Sequence, residues 1–346
     1  MLGSLCHALN SEYEGCLAVL RNGFKCYGKH FRVAYFKPAS GLNPETQALY
    51  NANKLMVTRQ LFYSHEHNKT LDLVLSLNGI PLVTAELKNP MTWQTWRDAE
   101  FQYKNDRDPK DLIFQFKKRT IVHFAVDTDE VYMTTKLSGN STSFLPFNKG
   151  SGTGAGNPEN VNGYKSAYLW EQIWDRDSFL DIIGHFAHVE VKESKLGDTT
   201  IRKEEMIFPR FHQLECVRKL VNDARIRGTG NNYLVQHSTG SGKSLSIAWL
   251  AYRLSSLHDD KNNKIFNSVV VVTDRLVLDQ QLQNTIYQLE HKQGVVEKID
   301  KDSTQLVNAL SSGVPIIVTT LQKFSFVTEK IGTLPSARKA GLIRRV

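Results

Sequence analysis

The sequence lacks the marks of several protein classes. It contains only four cysteines, with no C-x-x-C pair and no histidines at zinc-finger spacing, so free thiols in a reducing compartment are expected. The longest apolar runs, such as Ser268–Thr273, have the length of strands and fall far short of the roughly 18 residues that a transmembrane helix needs. The first residues also lack the charged and apolar regions of a secretory signal. We therefore expect a cytoplasmic protein without a membrane partner.

Length and charge indicate two domains and a polyanionic partner. A chain of 346 residues allows two cores. Its net charge of +8 and pI near 9.1 favour nucleic acid over a membrane or a neutral metabolite. Residues 1–195 show short β-rich segments among helices. Residues 196–346 alternate helices and strands, which is typical of a parallel α/β sheet. The polar stretch 192–205 has no apolar periodicity, and we place the join there.

The strongest local motif is Gln-His-Ser-Thr-Gly-Ser-Gly-Lys-Ser at 236–244. The apolar segment 233–235 predicts a strand that leads into this glycine turn, and a helix follows. Glycines let backbone N–H groups converge on phosphate oxygens, the lysine reaches the β- and γ-phosphates, and the next hydroxyl ligates Mg²⁺. His237 stands where such loops usually have Gly or Ala. The predicted ATP site comprises Thr239, Gly240, Ser241, Gly242, Lys243 and Ser244, with Ser244 as the Mg²⁺ ligand.

Further segments resemble parts of helicase-type ATPases. Phe-Pro-Arg-Phe-His-Gln at 208–213 is similar to the motif whose glutamine reads the adenine edge, which adds Gln213 to the ATP site. Strands predicted at 269–275 and 315–323 end in polar residues. In superfamily 2 helicases such strand ends face the nucleic-acid backbone, so Arg275, Thr319 and Thr320 are candidate DNA contacts. Each strand alone fits an ordinary core strand with a polar end equally well.

An acidic motif for ATP hydrolysis is missing from the sequence. A working motor needs an Asp-Glu strand end and a second lobe, yet Glu329 is the only acidic residue after Lys323. The segment 340–346 lies where the acidic strand is expected and ends in arginines instead. We therefore expect an incomplete RecA-like domain, truncated before the acidic motif, that contacts nucleotide without turning it over.

A second constellation carries two carboxylates and a lysine. Two apolar runs flank Asn78-Gly79, a strong hairpin signal, with Asp72 on the first strand and Glu86 and Lys88 near the end of the second. Glu86 and Lys88 share a face. A two-residue turn places Asp72 opposite Ala85, whereas a bulged register places it opposite Glu86. We predict the bulged register, because two carboxylates and a lysine on one face suit a Mg²⁺ site for phosphodiester cleavage. The alternative is a hairpin whose charges face water.

The segment after the hairpin adds two candidates. A helix is predicted at 92–106, where Gln102 would orient the attacking water or a phosphate. Arg107 follows the helix and would contact the DNA backbone. Both residues fit a solvated helix face equally well.

The two constellations in this order, with their flanks, resemble the R subunit of type I restriction–modification enzymes. The resemblance covers about residues 20–324 and is carried by seven segments: Phe-Lys-Pro-Ala-Ser-Gly-Leu-Asn (36–43), Thr-Ala-Glu-Leu-Lys-Asn-Pro (84–90), Gln-Tyr-Lys-Asn-Asp-Arg-Asp-Pro (102–109), Phe-Leu-Pro-Phe-Asn (144–148), Ile-Phe-Pro-Arg-Phe-His-Gln (207–213), the glycine turn (236–244) and Thr-Asp-Arg-Leu-Val-Leu-Asp (273–279).

The resemblance implies a PD-(D/E)xK nuclease domain over 1–195, with Asp72, Glu86 and Lys88 as its acidic pair and lysine. It also implies a superfamily 2 translocase over 196–346, Mg²⁺ and ATP as cofactors, and double-stranded DNA as substrate. The expected partners are methyltransferase and specificity subunits in a bacterial or archaeal cytoplasm. DNA cleavage would be coupled to ATP-driven translocation in the longer protein, of which this chain would be the N-terminal part. The alternative is a catalytically inactive ATP- and DNA-binding fragment of a helicase-like protein.

Overall fold

A computed structural model describes residues 1–38, 43–152, 154–196, 199–273, 276–289, 295–299, 303–325 and 340–344. These residues form two compact units. Unit 1 comprises the described residues from Met1 to Phe211, and unit 2 comprises those from His212 onward. Each contains helices and a sheet with parallel strands, so the predicted α/β class is confirmed. None of the helices in the described ranges combines the length and hydrophobicity that a bilayer crossing demands.

Unit 1 is built around a six-stranded mixed sheet with the order β3-β4-β5-β6-β7-β8. All neighbours are antiparallel except β5 and β6, which are parallel and are joined by helix α4. The elements are α3 (Pro44–Asn51), β3 (Leu55–Phe62), β4 (Thr70–Leu77), β5 (Ile80–Leu87), α4 (Trp96–Asn105), β6 (Val122–Val126), β7 (Val131–Thr134) and β8 (Leu145–Pro146).

Smaller elements complete unit 1. Helices α1 (Leu2–Asn10) and α2 (Gly15–Asn22) precede a two-stranded ribbon of β1 (Phe24–Cys26) and β2 (Lys29–Phe31). Short helical segments at 90–92, 165–167, 169–173 and 182–186 accompany α5 (Arg176–Asp181). A hairpin of β9 (His188–Leu196) and β10 (Thr199–Ile207) ends the unit.

Unit 2 contains a parallel four-stranded sheet with the order β12-β13-β11-β14. Strands β11 and β13 are buried along their whole length, as expected for parallel strands covered on both faces. The elements are α6 (Phe211–Arg227), α7 (Lys243–Ser255), β11 (Ser268–Thr273), α8 (Leu276–Leu289), β12 (Val296–Lys298), α9 (Ser303–Ser311), β13 (Ile316–Thr320), α10 (Leu321–Ser325) and β14 (Ala340–Arg344).

Local sequence signals explain the elements that carry the site. Asn78 and Gly79 both have positive φ, 50° and 86°, which is the requirement of a tight hairpin turn that asparagine and glycine meet at least cost. Helix α4 begins in a capping box, in which Thr95 and Asp98 bond each other's backbone N–H groups. Local sequence therefore defines both the turn between β4 and β5 and the start of α4, the elements that carry the candidate residues.

Two expectations about secondary structure are wrong. The supposed linker 192–205 lies in the β9–β10 hairpin, whose charged side chains pair across the strands, as Lys192 does with Glu205. The segment 233–235 is not a strand, and Leu234 is 93% exposed. An apolar run forms a strand only when a neighbour pairs with its backbone, and none of the strands in the described ranges does so here.

Candidate functional site

A β-bulge brings Asp72 and Glu86 together. At the turn Leu77 pairs with Ile80, but further along the hairpin Leu73 pairs with Ala85. One extra residue on β5 has shifted the pairing, so that continuing the register places Asp72 opposite Glu86. Side chains opposite each other share a face of the sheet. The bulged register predicted from the sequence is thereby confirmed.

Asp72 is fixed by contacts from both neighbouring strands. The Leu87 N–H donates to Asp72 Oδ2 at 2.8 Å, and Gln60 Nε2 donates to Asp72 Oδ1 at 3.0 Å. Gln60 lies within β3 yet has a φ of 48°, a conformation that costs energy in a residue with a side chain. The carboxylate is therefore held in one orientation by a strained strand on one side and a backbone amide on the other.

Glu86 is fully buried and forms an ion pair with Arg107. Arg107 Nε donates to Glu86 Oε1 at 2.8 Å, and Arg107 Nη2 lies 2.6 Å from the same oxygen. The guanidinium also donates to the Thr70 carbonyl at 2.8 Å and to the Tyr63 hydroxyl at 3.4 Å. The expectation that Arg107 contacts the DNA backbone is wrong, because Arg107 is buried and its donors are bound inside unit 1. No local pattern in the sequence indicates this partnership.

Burial dominates the electrostatics of Glu86. It raises the pKa of this carboxyl to about 8; the Arg107 charge acts in the opposite direction, and the nearby Asp72 carboxylate raises the pKa further. Only one oxygen of Glu86 is bound: Oε2 is buried and has no hydrogen-bond partner. A buried polar atom without a partner is costly, and Oε2 can be satisfied by a proton shared with the Asp72 carboxylate or by a bound cation.

The acidic pair fits a divalent cation. Among the described residues no group of three His, Cys, Asp or Glu side chains could hold a metal ion, so a site at Asp72 and Glu86 would offer two carboxylates. Mg²⁺ is commonly bound by one or two carboxylates, with water and substrate phosphates completing its octahedron. The unpartnered Oε2 and the adjacent Asp72 carboxylate suit that ion better than Zn²⁺, which needs more protein ligands.

Lys88 and Gln102 meet at the same end of the sheet. Lys88 Nζ donates to Gln102 Oε1 at 2.6 Å. Lys88 is two residues beyond Glu86, directly after the end of β5, and its N–H donates to the Val126 carbonyl on β6. Of the alternatives for Gln102, the structure favours membership of the site over a solvated helix face.

A buried polar network lies behind these residues and was missed in the sequence. The Thr84 hydroxyl lies 2.7 Å from the Tyr103 hydroxyl and 2.8 Å from His123 Nδ1. Burial lowers the pKa of His123 to about 3, so the imidazole is neutral at ordinary pH. The network joins β5, α4 and β6 and thereby fixes the position of Gln102. Thr84 and His123 lie inside apolar strands, where no spacing rule singles them out.

The second candidate site is the glycine loop of unit 2. Gly240 and Gly242 have φ values of 77° and 79°, and helix α7 begins directly after Gly242. Lys243 Nζ donates to the carbonyls of His237 and Ser238, each at 3.0 Å. The lysine thus closes the loop on itself, and the helix N-terminus lies behind the loop as phosphate binding requires.

Gln213 supports this loop. Its Nε2 donates to the carbonyls of Ser241 and Gly242, each at 3.1 Å. A Cβ on Gly242 would lie 2.3 Å from the same nitrogen, and the φ of 79° favours glycine at this position. In the structure the amide fixes the loop; adenine recognition by Gln213 stays a prediction. Thr239 is exposed at the turn, and Ser244 is the second residue of α7.

The predicted DNA contacts of unit 2 are not supported. Thr319 and Thr320 are buried at the end of β13, because this interior strand is covered on both faces. Their hydroxyls therefore cannot reach a DNA backbone, and that expectation is wrong. Arg275 lies outside the described residues.

We predict a pH-dependent effect of Glu86→Gln on stability. With a folded-state pKa of about 8, against 4.5 for an ordinary glutamate, the folded protein holds this proton more tightly than the unfolded chain. The contribution of Glu86 to stability is therefore greatest at acidic pH and falls as the pH rises from about 4.5 to about 8. Glutamine cannot ionise, so Glu86→Gln should gain stability relative to the unmodified chain over this range.

The measurement is the free energy of unfolding in urea with EDTA present, at several pH values between about 5 and 9. Glu100→Gln is the matched control, since Glu100 pairs with Lys104 on the surface of α4 and should show no such trend. A difference between Glu86→Gln and the unmodified chain that does not change with pH would contradict the prediction.

Family models match the two parts of the chain that contain the candidate sites. The model for the Type I restriction enzyme R protein N terminus matches residues 29–142, which include the acidic pair, Lys88, Gln102 and Arg107. The model for the SWI2/SNF2 ATPase matches residues 212–343, which include the glycine loop. No solved structure matches the chain significantly.

Individual relatives agree with these matches. A putative type I restriction enzyme MjaIXP endonuclease subunit of Methanocaldococcus jannaschii is 25% identical over 296 residues, covering 79% of this chain and 26% of the relative. The type I restriction enzyme SauCOLORF180P endonuclease subunit of Staphylococcus aureus is 25% identical over 287 residues, with the same coverage of both chains. The HindI endonuclease subunit of Haemophilus influenzae is 26% identical over 290 residues, covering 80% and 26%. The chain spans about a quarter of the length of these relatives. Taken together, the N-terminal family model and these relatives show that the chain is similar to the R, or endonuclease, subunits of type I restriction enzymes over about four fifths of its length.

Proposed function

We propose that unit 1 is a Mg²⁺-dependent DNA endonuclease domain of the PD-(D/E)xK class. The observation that carries the proposal is the buried Glu86 with its unpartnered Oε2 beside Asp72. The bulged register that brings Asp72 opposite Glu86 supports the class, since these two residues are the acidic pair that the resemblance implies. The relatives' description as endonuclease subunits supports DNA as the substrate.

Each residue has a distinct part in cleavage. Asp72 and Glu86 Oε2 would hold Mg²⁺, which stabilises the negative charge that develops on the phosphate. Arg107 keeps Glu86 oriented by binding its other oxygen. Lys88, held by Gln102, would donate a hydrogen bond to the attacking water or to an oxygen of the scissile phosphate. Water then adds to phosphorus and an ester oxygen leaves, which gives a phosphate monoester and a hydroxyl end.

We also propose that the glycine loop of unit 2 binds ATP. Lys243 would exchange the carbonyls of His237 and Ser238 for the β- and γ-phosphates, and Ser244 would ligate Mg²⁺. In the longer relatives this loop would belong to a motor that pulls double-stranded DNA through a complex with methyltransferase and specificity subunits. Cleavage would then be coupled to translocation in the cytoplasm of a bacterium or archaeon.

We predict that the chain nicks supercoiled plasmid DNA when Mg²⁺ is present. Asp72→Asn, Glu86→Gln and Lys88→Ala should each lower the rate at least about 100-fold, because each removes a group that acts on the developing charge. Glu100→Gln is the matched control and should retain activity. Equal nicking by all variants would mean a contaminating nuclease. No nicking by any of them would favour the inactive binding fragment.

We predict that ATP binding depends on Lys243. Lys243→Ala should weaken the affinity for a fluorescent ATP analogue at least about tenfold, since one charge-assisted contact to phosphate is lost. Lys219→Ala is the control, because Lys219 is exposed on α6 and pairs with Glu215 on the same helix. Equal affinities of the two variants would contradict a phosphate site at the loop.

A further inference from the structure

The loop between β5 and α4 presents two large apolar side chains to solvent. Trp93 is 95% exposed and Met91 is 87% exposed. They follow Lys88 by five and three residues, beyond the end of the strand that carries Glu86. Two large apolar side chains this exposed within three residues of one loop are unusual enough to examine as an interaction site. Because Met91 and Trp93 follow the strand that carries Glu86, a ligand bound at the acidic pair is the partner to consider for them.

The loop holds these side chains in a defined position. Asn89 Oδ1 accepts the Met91 N–H at 3.0 Å, and the Asn89 carbonyl accepts from the Thr92 hydroxyl at 2.7 Å and from its N–H at 2.9 Å. The Trp93 N–H donates to the Pro90 carbonyl at 2.9 Å. Trp93 has a φ of 60°, which is unfavourable for a bulky residue and is typical of functional sites.

An exposed arginine next to the loop suits a polyanion. Arg97 is exposed, and its guanidinium lies 4.7 Å from the centre of the Trp96 ring. Trp96 in turn is buried and stacks on Tyr132 at 3.5 Å. Phe101, four residues after Arg97 on the same helix, is 62% exposed. Apolar wedges next to cations are a device by which proteins unstack or grip DNA bases.

We propose that Trp93, with Met91 two residues earlier, is a base-contacting wedge that engages duplex DNA beside the phosphodiester bond cleaved at Asp72 and Glu86. This inference rests on the proposed nuclease function. The tryptophan ring inserts at a base step or stacks on a base, while Arg97 contacts the backbone. The wedge makes binding independent of sequence, because every base offers an apolar face.

The test measures binding to duplex DNA in a chain that does not cleave. In the full chain carrying Glu86→Gln, the added change Trp93→Ala should weaken binding in fluorescence anisotropy by about 5- to 100-fold, the range for loss of one base-stacking aromatic. Trp93→Phe should retain most of the affinity. Tyr27→Ala is the matched control, since Tyr27 is 96% exposed, has a φ of 48° and lies on the separate β1–β2 ribbon.

A second readout distinguishes base contact from phosphate contact. A duplex that carries 2-aminopurine should brighten when the Glu86→Gln chain binds, whichever position holds the probe, and should not brighten with Trp93→Ala. Equal affinities of Trp93→Ala and Tyr27→Ala, or no 2-aminopurine response at any position, would overturn the wedge. A change in sedimentation with unchanged DNA affinity would assign the surface to contact between copies and would also overturn it. Failure of the nuclease proposal appears separately, as absent Mg²⁺-dependent nicking by the unmodified chain.

Discussion

The buried contact between Arg107 and Glu86 is the constraint on which the acidic site depends. Removing both charges from water is expensive, and an ion pair of this kind seldom stabilises a fold more than apolar packing would. Here burial outweighs the attraction of Arg107, and the pKa of Glu86 rises to about 8. The arginine binds only Oε1 and leaves Oε2 without a partner. Oε2 is thereby left available for the metal ion that we propose at Asp72 and Glu86.

Helix α4 and the residues just after it position Tyr103, Gln102 and Arg107. Tyr103 points into the core, where its hydroxyl meets Thr84 on β5, and this contact fixes the rotation of the helix about its axis. With the rotation set, Gln102 reaches Lys88, and Arg107, two residues beyond the helix, reaches Glu86. The ion pair, the lysine and the buried hydroxyl network are therefore consequences of one helix packed against one parallel strand pair. At the other end of α4, the capping box directly follows the loop that exposes Trp93.

The sequence could predict those parts of the site that depend on residues close together in the chain, and not those that depend on contacts between distant segments. The hairpin, its bulged register and the meeting of Asp72 with Glu86 depend on neighbouring residues and on strand parity, and these expectations were confirmed. The partnership of Arg107 with Glu86 depends on how α4 crosses the sheet, which no local pattern contains, and Arg107 was therefore assigned to DNA. Thr319 and Thr320 were misassigned because a polar strand end does not reveal that the strand is interior. The segment 233–235 has the composition of a strand, but backbone pairing is decided by its neighbours.

Anomalous X-ray diffraction from crystals soaked in Mn²⁺ tests the acidic site most directly. The soak should be made above about pH 8, where Glu86 is ionised, and repeated with Glu86→Gln. An anomalous peak about 2.1 Å from both an Asp72 carboxylate oxygen and Glu86 Oε2, absent in the variant, is the predicted result. A peak that bridges other residues, or full Mn²⁺ loading elsewhere with none between these two carboxylates, would contradict it.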